Sequence, residues 1–209
     1  MTSFPPTQVL LPETRGGWTR RAFIKGVIAS GVTVPGLTWF DPMARVGLRG
    51  QTIGADRLMT LNVNGQSRRV DVLPTETLTT TLRYKLGLTG TKVACDRAEC
   101  GACTVIVDGT THYACSTLTT RVRDREIRTV EGLEGEDGAL HPVQQAFIDE
   151  LGPQCGFCTP GQVMSAVALL EQNPDPSRDE ARAAMAGNLC RCGAYDHYLN
   201  GVMRAAREV

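Results

Sequence analysis

The 209-residue chain carries 22 Lys and Arg against 22 Asp and Glu, and 42% of its residues are hydrophobic. Zero net charge gives no sign of the basic face used for nucleic acid, and the lack of a run of about 18 apolar residues argues against a conventional membrane span. The length suits one large or two small domains, and the eight cysteines are too few for a disulfide miniprotein but too regularly spaced to be incidental.

Residues 1–56 are predicted to be an export signal and linker. Arg20 and Arg21 precede the weakly apolar run 26–40, which is typical of a twin-arginine (Tat) signal. A short amphipathic helix with two chance arginines is the alternative. The Tat route carries folded proteins, so this pattern predicts a periplasmic protein that engages the Tat translocase, with any membrane association made through its partners.

Residues 57–130 are predicted to form a small α+β domain. Asn64-Gly65 between two alternating runs is a strong hairpin signal, because both residues tolerate positive φ. A second hairpin is predicted around Asp108-Gly109. The predicted elements are strands 58–63 and 66–72, a helix over 76–86 stopped by Gly87, strands 104–107 and 110–113, and a strand over 126–130.

The acidic, Gly-rich residues 131–140 are predicted to be a linker, and residues 141–209 a four-helix domain. Apolar residues recur at helical spacing through this region. The predicted helices span residues 142–151, 160–172, 179–186 and 197–209.

The first four cysteines follow the spacing C-x4-C-x2-C-x11-C, which is the plant-type ferredoxin arrangement for a 2Fe–2S cluster. Three thiolates on one tight loop wrap the cluster, and the fourth comes from a separate segment. Zinc is the alternative, although zinc sites usually have a short cysteine pair on both halves. This first set consists of Cys95, Cys100, Cys103 and Cys115.

The last four cysteines form C-x2-C and C-x-C pairs, each just ahead of a predicted helix. A helix N-terminus directs partial positive charge at nearby thiolates and so favours an anionic cluster. Zinc and disulfides remain alternatives for this set. This second set consists of Cys155, Cys158, Cys190 and Cys192.

Three motifs carry a family resemblance: GTKVACDRAECGACT at 90–104, QCGFCTPG at 154–161 and GNLCRCGAY at 187–195. In this order they resemble the iron–sulfur subunit of the xanthine oxidase (molybdenum hydroxylase) family, over about residues 57–207. With the twin-arginine pattern, the chain is most similar to periplasmic aldehyde oxidoreductase small subunits. It has Ala94 and Ala98 in a loop where the family often has glycine.

The resemblance implies a β-grasp ferredoxin domain followed by a four-helix domain, each holding one 2Fe–2S cluster. It further implies a large partner subunit whose molybdopterin cofactor lies beside the second cluster, with Gln154 hydrogen-bonded to the pterin and Cys192 the nearest ligand. The chain itself would have no catalytic residues. It would pass electrons from aldehyde oxidation at molybdenum to a flavin (FAD) subunit, or to the haem of a cytochrome c.

Two other functions stay open on the sequence alone. One is a stand-alone exported two-cluster ferredoxin. The other is a zinc-stabilised interaction module.

Overall fold

The computed structural model describes residues 57–135 and 137–208, together with Arg21 and Lys25, which are helical and exposed. The rest of the predicted export signal and linker lies outside the described residues. The described residues from Arg57 onward belong to one compact unit. No helix among them combines the length and the hydropathy needed to cross a membrane.

A mixed five-stranded sheet forms the first half of this unit, in the order β2-β1-β5-β3-β4. β1 pairs with β2 and β3 with β4 in antiparallel hairpins, whereas β1 and β5 run parallel at the centre. Their bounds are β1 Leu58–Val63, β2 Gln66–Asp71, β3 Thr104–Val107, β4 Thr110–Tyr113 and β5 Glu126–Arg128.

Both predicted hairpins are confirmed. Asn64 and Gly65 have φ of 53° and 71°, and Asp108 and Gly109 have φ of 47° and 76°. These left-handed conformations give the turn the twist that antiparallel strands need. All four residues of β3 are buried, which places the strand that follows the first cysteine loop inside the core.

The helix predicted over 76–86 begins later and changes type. Helix α1 spans Leu78–Thr80, with the Thr77 side chain as its N-cap, and it continues as a π-helix over Thr81–Lys85. A buried carboxylate contacts both ends of the π-helix: Glu76 accepts hydrogen bonds from the Thr81 hydroxyl (2.6 Å) and the Lys85 ammonium (2.6 Å). Gly87 follows with φ of 72°, as expected of a stop.

Four helices form the second half: α2 Pro142–Asp149, α3 Thr159–Gln172, α4 Arg178–Met185 and α5 Tyr195–Ala205. All four predicted helices are present, but α2 and α5 end earlier than predicted and α5 starts two residues before position 197. Capping boxes at His141 and Ser177 fix the starts of α2 and α4. Phe147 and Tyr198 meet edge-to-face between α2 and α5, with ring centroids 5.0 Å apart.

Two short 3-10 helices were not predicted, at Thr119–Val122 and Val130–Leu133. The second occupies the start of the predicted linker, and Leu133 is buried in the core of the helical half. Across from it, the Asn64 side chain exchanges two hydrogen bonds with Thr129, at 3.0 and 2.8 Å. This connection is therefore packed against both halves.

Candidate functional site

The loop that carries Cys95, Cys100 and Cys103 is tightly wound. Asp96, Ala98 and Gly101 all have positive φ, at 52°, 60° and 70°. These reversals turn backbone N–H groups inward toward the sulfur atoms. The N–H of Ala98 donates to Cys115 Sγ at 3.3 Å, and the N–H of Glu99 donates to Cys95 Sγ at 3.4 Å.

The thiols of the first set lie in two contacting pairs, Cys95 with Cys100 and Cys103 with Cys115. The first pair is partly exposed and the second is buried. The N–H groups of Arg97 and Glu99 lower the pKa of Cys95 to about 7. Burial raises the pKa of Cys103 to about 12. The loop thus has a polar outer side and an apolar inner side.

The second set repeats this division. Cys155 and Cys192, which contact each other, are exposed, and Cys158 and Cys190, which also contact each other, are buried. The N–H of Phe157 and the Cys192 thiol lower the pKa of Cys155. Burial raises the pKa of Cys158 to about 11.

The predicted helix starts are only partly responsible for the environment of these thiols. Cys158 is the N-cap residue of α3, and Cys190 lies five residues before α5. Burial works against ionisation of Cys190, but N–H groups of Ala194, Cys192 and Gly193 lower its pKa overall. For Cys158, the group that favours the thiolate is the hydroxyl of Tyr198.

This paired arrangement fits a binuclear iron–sulfur cluster better than a single ion. A 2Fe–2S cluster takes four thiolates, two on each iron. Within the described ranges, no three His, Cys, Asp or Glu side chains converge so as to hold one metal ion. No disulfide joins any of the eight cysteines in this structure.

The two cysteine sets are held together by the segment just before Cys190. The N–H of Leu189 donates to the carbonyl of Cys100 at 2.9 Å. The buried amide of Asn188 donates to the carbonyl of Gly101 at 3.0 Å and accepts from the Ser165 hydroxyl at 2.7 Å. We call residues 187–189, with the backbone of residues 100–101 that they contact, the inter-loop joint.

Close backbone contacts complete the inter-loop joint. A Cβ at Gly161, in the first turn of α3, would collide with the carbonyl oxygen of Gly101. A Cβ at Gly187 would collide with the Tyr113 hydroxyl, which donates to the Gly187 carbonyl at 3.0 Å. These glycines let the helix and the first loop approach each other.

A mostly apolar cavity of about 330 Å³ lies between the two sets. Cys100 contributes to its wall from the first loop, and Cys155, Cys158 and Cys190 contribute from the second. The cavity therefore brings members of both sets to one space. The large side chains of the wall are Phe157, Leu189 and Tyr195.

These three side chains share the cavity wall with Cys155, one of the two exposed thiols of the second set. Phe157 is 47% exposed, Leu189 55% and Tyr195 50%. Gln154, predicted to meet the pterin, is also exposed and directly precedes Cys155. We call this surface, formed by Phe157, Leu189 and Tyr195, the apolar rim.

Sequence reasoning missed two residues of the site, Asn188 and Tyr198. Asn188 is part of the GNLC motif, but nothing in the sequence indicated that its side-chain amide connects the two cysteine loops. Tyr198 resembled one more apolar position of the last helix.

Two family models match the chain: one for a 2Fe-2S iron-sulfur cluster binding domain over residues 61–135 and one for a second 2Fe-2S binding domain over residues 129–203. Among curated relatives, the aldehyde oxidoreductase iron-sulfur-binding subunit PaoA of Escherichia coli is 44% identical over 166 residues, which is 72% of each chain. A nicotinate dehydrogenase subunit of Pseudomonas putida is 47% identical over 71% of this chain and 94% of its own.

Among solved structures, the aldehyde oxidoreductase of Desulfovibrio desulfuricans matches with a TM-score of 0.69 and 44% identity. The match covers 72% of this chain but 17% of that longer chain. Because both matched models describe 2Fe-2S domains, the cysteine-rich halves are iron–sulfur domains and not zinc modules. The chain belongs to the two-cluster 2Fe–2S subunits of the xanthine oxidase (molybdenum hydroxylase) family.

Proposed function

We propose that this chain is the electron-transfer subunit of a molybdenum-dependent oxidoreductase, with one 2Fe–2S cluster held by each cysteine set. In this proposal the sheet domain (57–130) is a β-grasp ferredoxin domain, residues 131–140 link it to the next, and residues 141–209 form a four-helix cluster domain. The observation that carries the proposal is the pairing of thiols in both sets: two buried thiols lie together, and the two more accessible thiols lie together.

When bound, each cluster supplies one-electron redox chemistry that no side chain of the protein offers. The protein's contribution is to hold the two sites at a fixed separation. The Leu189 N–H to Cys100 carbonyl hydrogen bond joins the backbones next to Cys190 and at Cys100. A path of covalent bonds with a single hydrogen bond thus runs from one set to the other. The wall of the cavity between the two sets is mainly apolar, so few polar groups are available there to solvate charge.

The partner in this proposal is a large molybdopterin-binding subunit that covers the apolar rim. Three large, half-exposed side chains lie beside the exposed thiol of Cys155. A subunit interface would cover such an apolar surface, whereas a free-standing ferredoxin would leave it in water. Gln154 beside Cys155 would then reach the pterin, with Cys192 the nearest ligand. The opposite end would deliver electrons to a flavin subunit or a cytochrome c.

Oxidation of an aldehyde to a carboxylic acid is the proposed reaction of the complex. The support is the similarity to the aldehyde oxidoreductase subunit of E. coli. Hydroxylation of an N-heterocycle is the second candidate, because the nicotinate dehydrogenase subunit of P. putida is 47% identical and is matched over 94% of its length.

Export through the Tat route to the periplasm is also part of the proposal, and it is supported by Arg20 and Arg21 ahead of the weakly apolar run. A variant with both arginines replaced by lysine should leave the complex in the cytoplasmic fraction. An unchanged distribution would contradict this assignment without affecting the electron-transfer role.

The central test is metal analysis of the complex isolated with its partners from its native host. About four Fe per chain and one Mo per complex are expected. Cys100→Ser and Cys155→Ser should each remove one of the two 2Fe–2S EPR signals and leave about two Fe. As a matched control, Ser116→Ala, which removes an exposed hydroxyl next to Cys115, should keep the full iron content. Zinc in place of iron, or loss of the same signal in both cysteine variants, would refute the proposal.

The reaction is tested by anaerobic addition of substrate to the complex. An aldehyde should bleach the visible absorbance of the clusters, whereas nicotinate should not. Bleaching by nicotinate alone would favour the second candidate.

A further inference from the structure

The hydroxyl of Tyr198 lies at the buried side of the second cysteine set. Its oxygen is 3.8 Å from Cys158 Sγ and 2.6 Å from the Thr159 hydroxyl. Tyr198 is 2% exposed, and its ring is fixed edge-on against Phe147. A side chain held in this way presents its hydroxyl to the sulfur at a constant position.

The chemistry of a ligating sulfur decides the direction of these hydrogen bonds. A thiolate that binds iron has no proton, so Cys158 can only accept. The proton between Cys158 and Tyr198 must then come from the tyrosine. The Thr159 hydroxyl completes the chain by donating to Tyr198, which leaves the tyrosine proton directed at sulfur.

The electrostatic consequence follows from this direction of donation. A hydroxyl that donates to Cys158 places its partial positive charge against the ligating sulfur. The hydroxyl therefore stabilises negative charge on this sulfur. A reduced 2Fe–2S cluster carries one more negative charge than an oxidised one, and hydrogen bonds to its sulfurs raise its reduction potential.

The first set has a tyrosine nearby that does something else. Tyr113 is half-buried, but its hydroxyl donates to the carbonyl of Gly187 at 3.0 Å and not to a cysteine sulfur. The sulfur atoms of the first set receive backbone N–H groups, as at Cys95 and Cys115. Among the described residues, the second site thus has a tyrosine hydroxyl next to a ligand sulfur, whereas the tyrosine near the first site bonds to a backbone carbonyl.

We propose that Tyr198 is a positioning residue that raises the reduction potential of the second cluster by donating a hydrogen bond to Cys158, with Thr159 orienting its proton. The inference rests on the proposed function, because it requires Cys158 to be a cluster ligand. It assigns this chain a specific side-chain means of raising the potential of the cluster in the helical half.

The test is an EPR-monitored redox titration of the loaded complex. Tyr198→Phe keeps the ring and its contact with Phe147 but removes the hydroxyl. We expect reduction of the second cluster to become about tenfold less favourable, a fall of about 59 mV for a one-electron couple. Thr159→Val should give a smaller fall, because the tyrosine proton is then free to turn. The first cluster should keep its potential in both variants.

Tyr113→Phe is the matched control, since it removes a tyrosine hydroxyl at the inter-loop joint that does not touch sulfur. It should leave the potential of the second cluster unchanged. An equal fall in Tyr113→Phe, or no fall in Tyr198→Phe with its iron fully loaded, would overturn the inference. If the wild-type complex itself lacks the iron of two clusters, the proposed function fails instead.

A second measurement covers the case in which Tyr198→Phe does not load iron. Resonance Raman bands of the Fe–Sγ stretches should shift in deuterium oxide in the wild type and shift less in Thr159→Val, which retains the tyrosine. Identical isotope shifts in the two proteins would count against the hydroxyl chain.

Discussion

Replacing Asn188 by aspartate tests whether the inter-loop joint holds the two sites together. Asn188 is 2% exposed, and its NH2 group donates to the Gly101 carbonyl at 3.0 Å and, more weakly, to Thr104 Oγ1 at 3.4 Å. Aspartate has the same shape but no donor. The change removes one good hydrogen bond, places a carboxyl oxygen against the Gly101 carbonyl oxygen and buries a carboxyl group, which together should cost about 3 kcal/mol of stability.

For a chain of this size about 3 kcal/mol corresponds to a fall in Tm of about 6–12 °C. The measurement is the loss of visible cluster absorbance on heating, followed separately for each cluster by EPR. Because the joint contacts both loops, both signals should disappear together at the lower temperature. Asn200→Asp is the matched control: Asn200 is exposed on α5 and accepts from Arg178 at 2.9 Å, so its change should shift stability by less than about 0.5 kcal/mol. A Tm unchanged by Asn188→Asp, or loss of one cluster alone, would refute this reasoning.

Three further variants probe the same packing and one buried charge. Gly161→Ala should lower the free energy of unfolding by about 1–2 kcal/mol in thermal unfolding. The collision of its Cβ with the Gly101 carbonyl oxygen outweighs the gain of about 1 kcal/mol from alanine's higher helix propensity. A rise in Tm would contradict this close approach. Gly187→Ala should lower Tm, because its Cβ would collide with the Tyr113 hydroxyl oxygen. Tyr113→Phe removes that oxygen, so the double variant should recover part of the lost Tm. If the decreases in Tm of the two single variants simply add in the double variant, the contact is absent. Glu76→Gln should cost about 1–2 kcal/mol of unfolding free energy at pH 7, because hydrogen bonds to a charged carboxylate are stronger than those to a neutral amide. Burial opposes ionisation of Glu76, but its hydrogen bonds hold its pKa below the ordinary value of 4.5. The stability contributed by the charged form is therefore present above pH 4.5 and is lost as the pH falls through the folded-state pKa. The difference in unfolding free energy between the two proteins should shrink over that range in chemical unfolding, and a constant difference would exclude the ionised form.

The local features of the fold were accessible from the sequence because short-range chemistry specifies them. Asn64-Gly65 marks a turn whose two positive φ values few other dipeptides adopt. The four helices follow from apolar periodicity. Their ends were less predictable, since α5 starts at Tyr195 through contacts around Cys190, whose N–H donates to the Tyr195 hydroxyl at 3.0 Å.

The grouping of cysteines into two sets also followed from spacing. Which thiol pairs with which did not, because Cys155 meets Cys192 and Cys158 meets Cys190 only after α3 and α4 have folded back. The π-helix at Thr81–Lys85 could not be predicted from the sequence either. It accompanies an ion pair between the buried Glu76 carboxylate and the exposed Lys85, and burial of Glu76 depends on the whole sheet domain.

The division of each set into a buried and an exposed pair has a consequence for the order of maturation. Cys155 and Cys192 are exposed in the isolated chain, and the half-exposed Phe157 and Leu189 line the same cavity as Cys155. In the proposed complex, a catalytic partner seated on the apolar rim would restrict the access of iron and sulfide to the second set. We therefore expect iron–sulfur insertion to come before docking, with the small subunit maturing first.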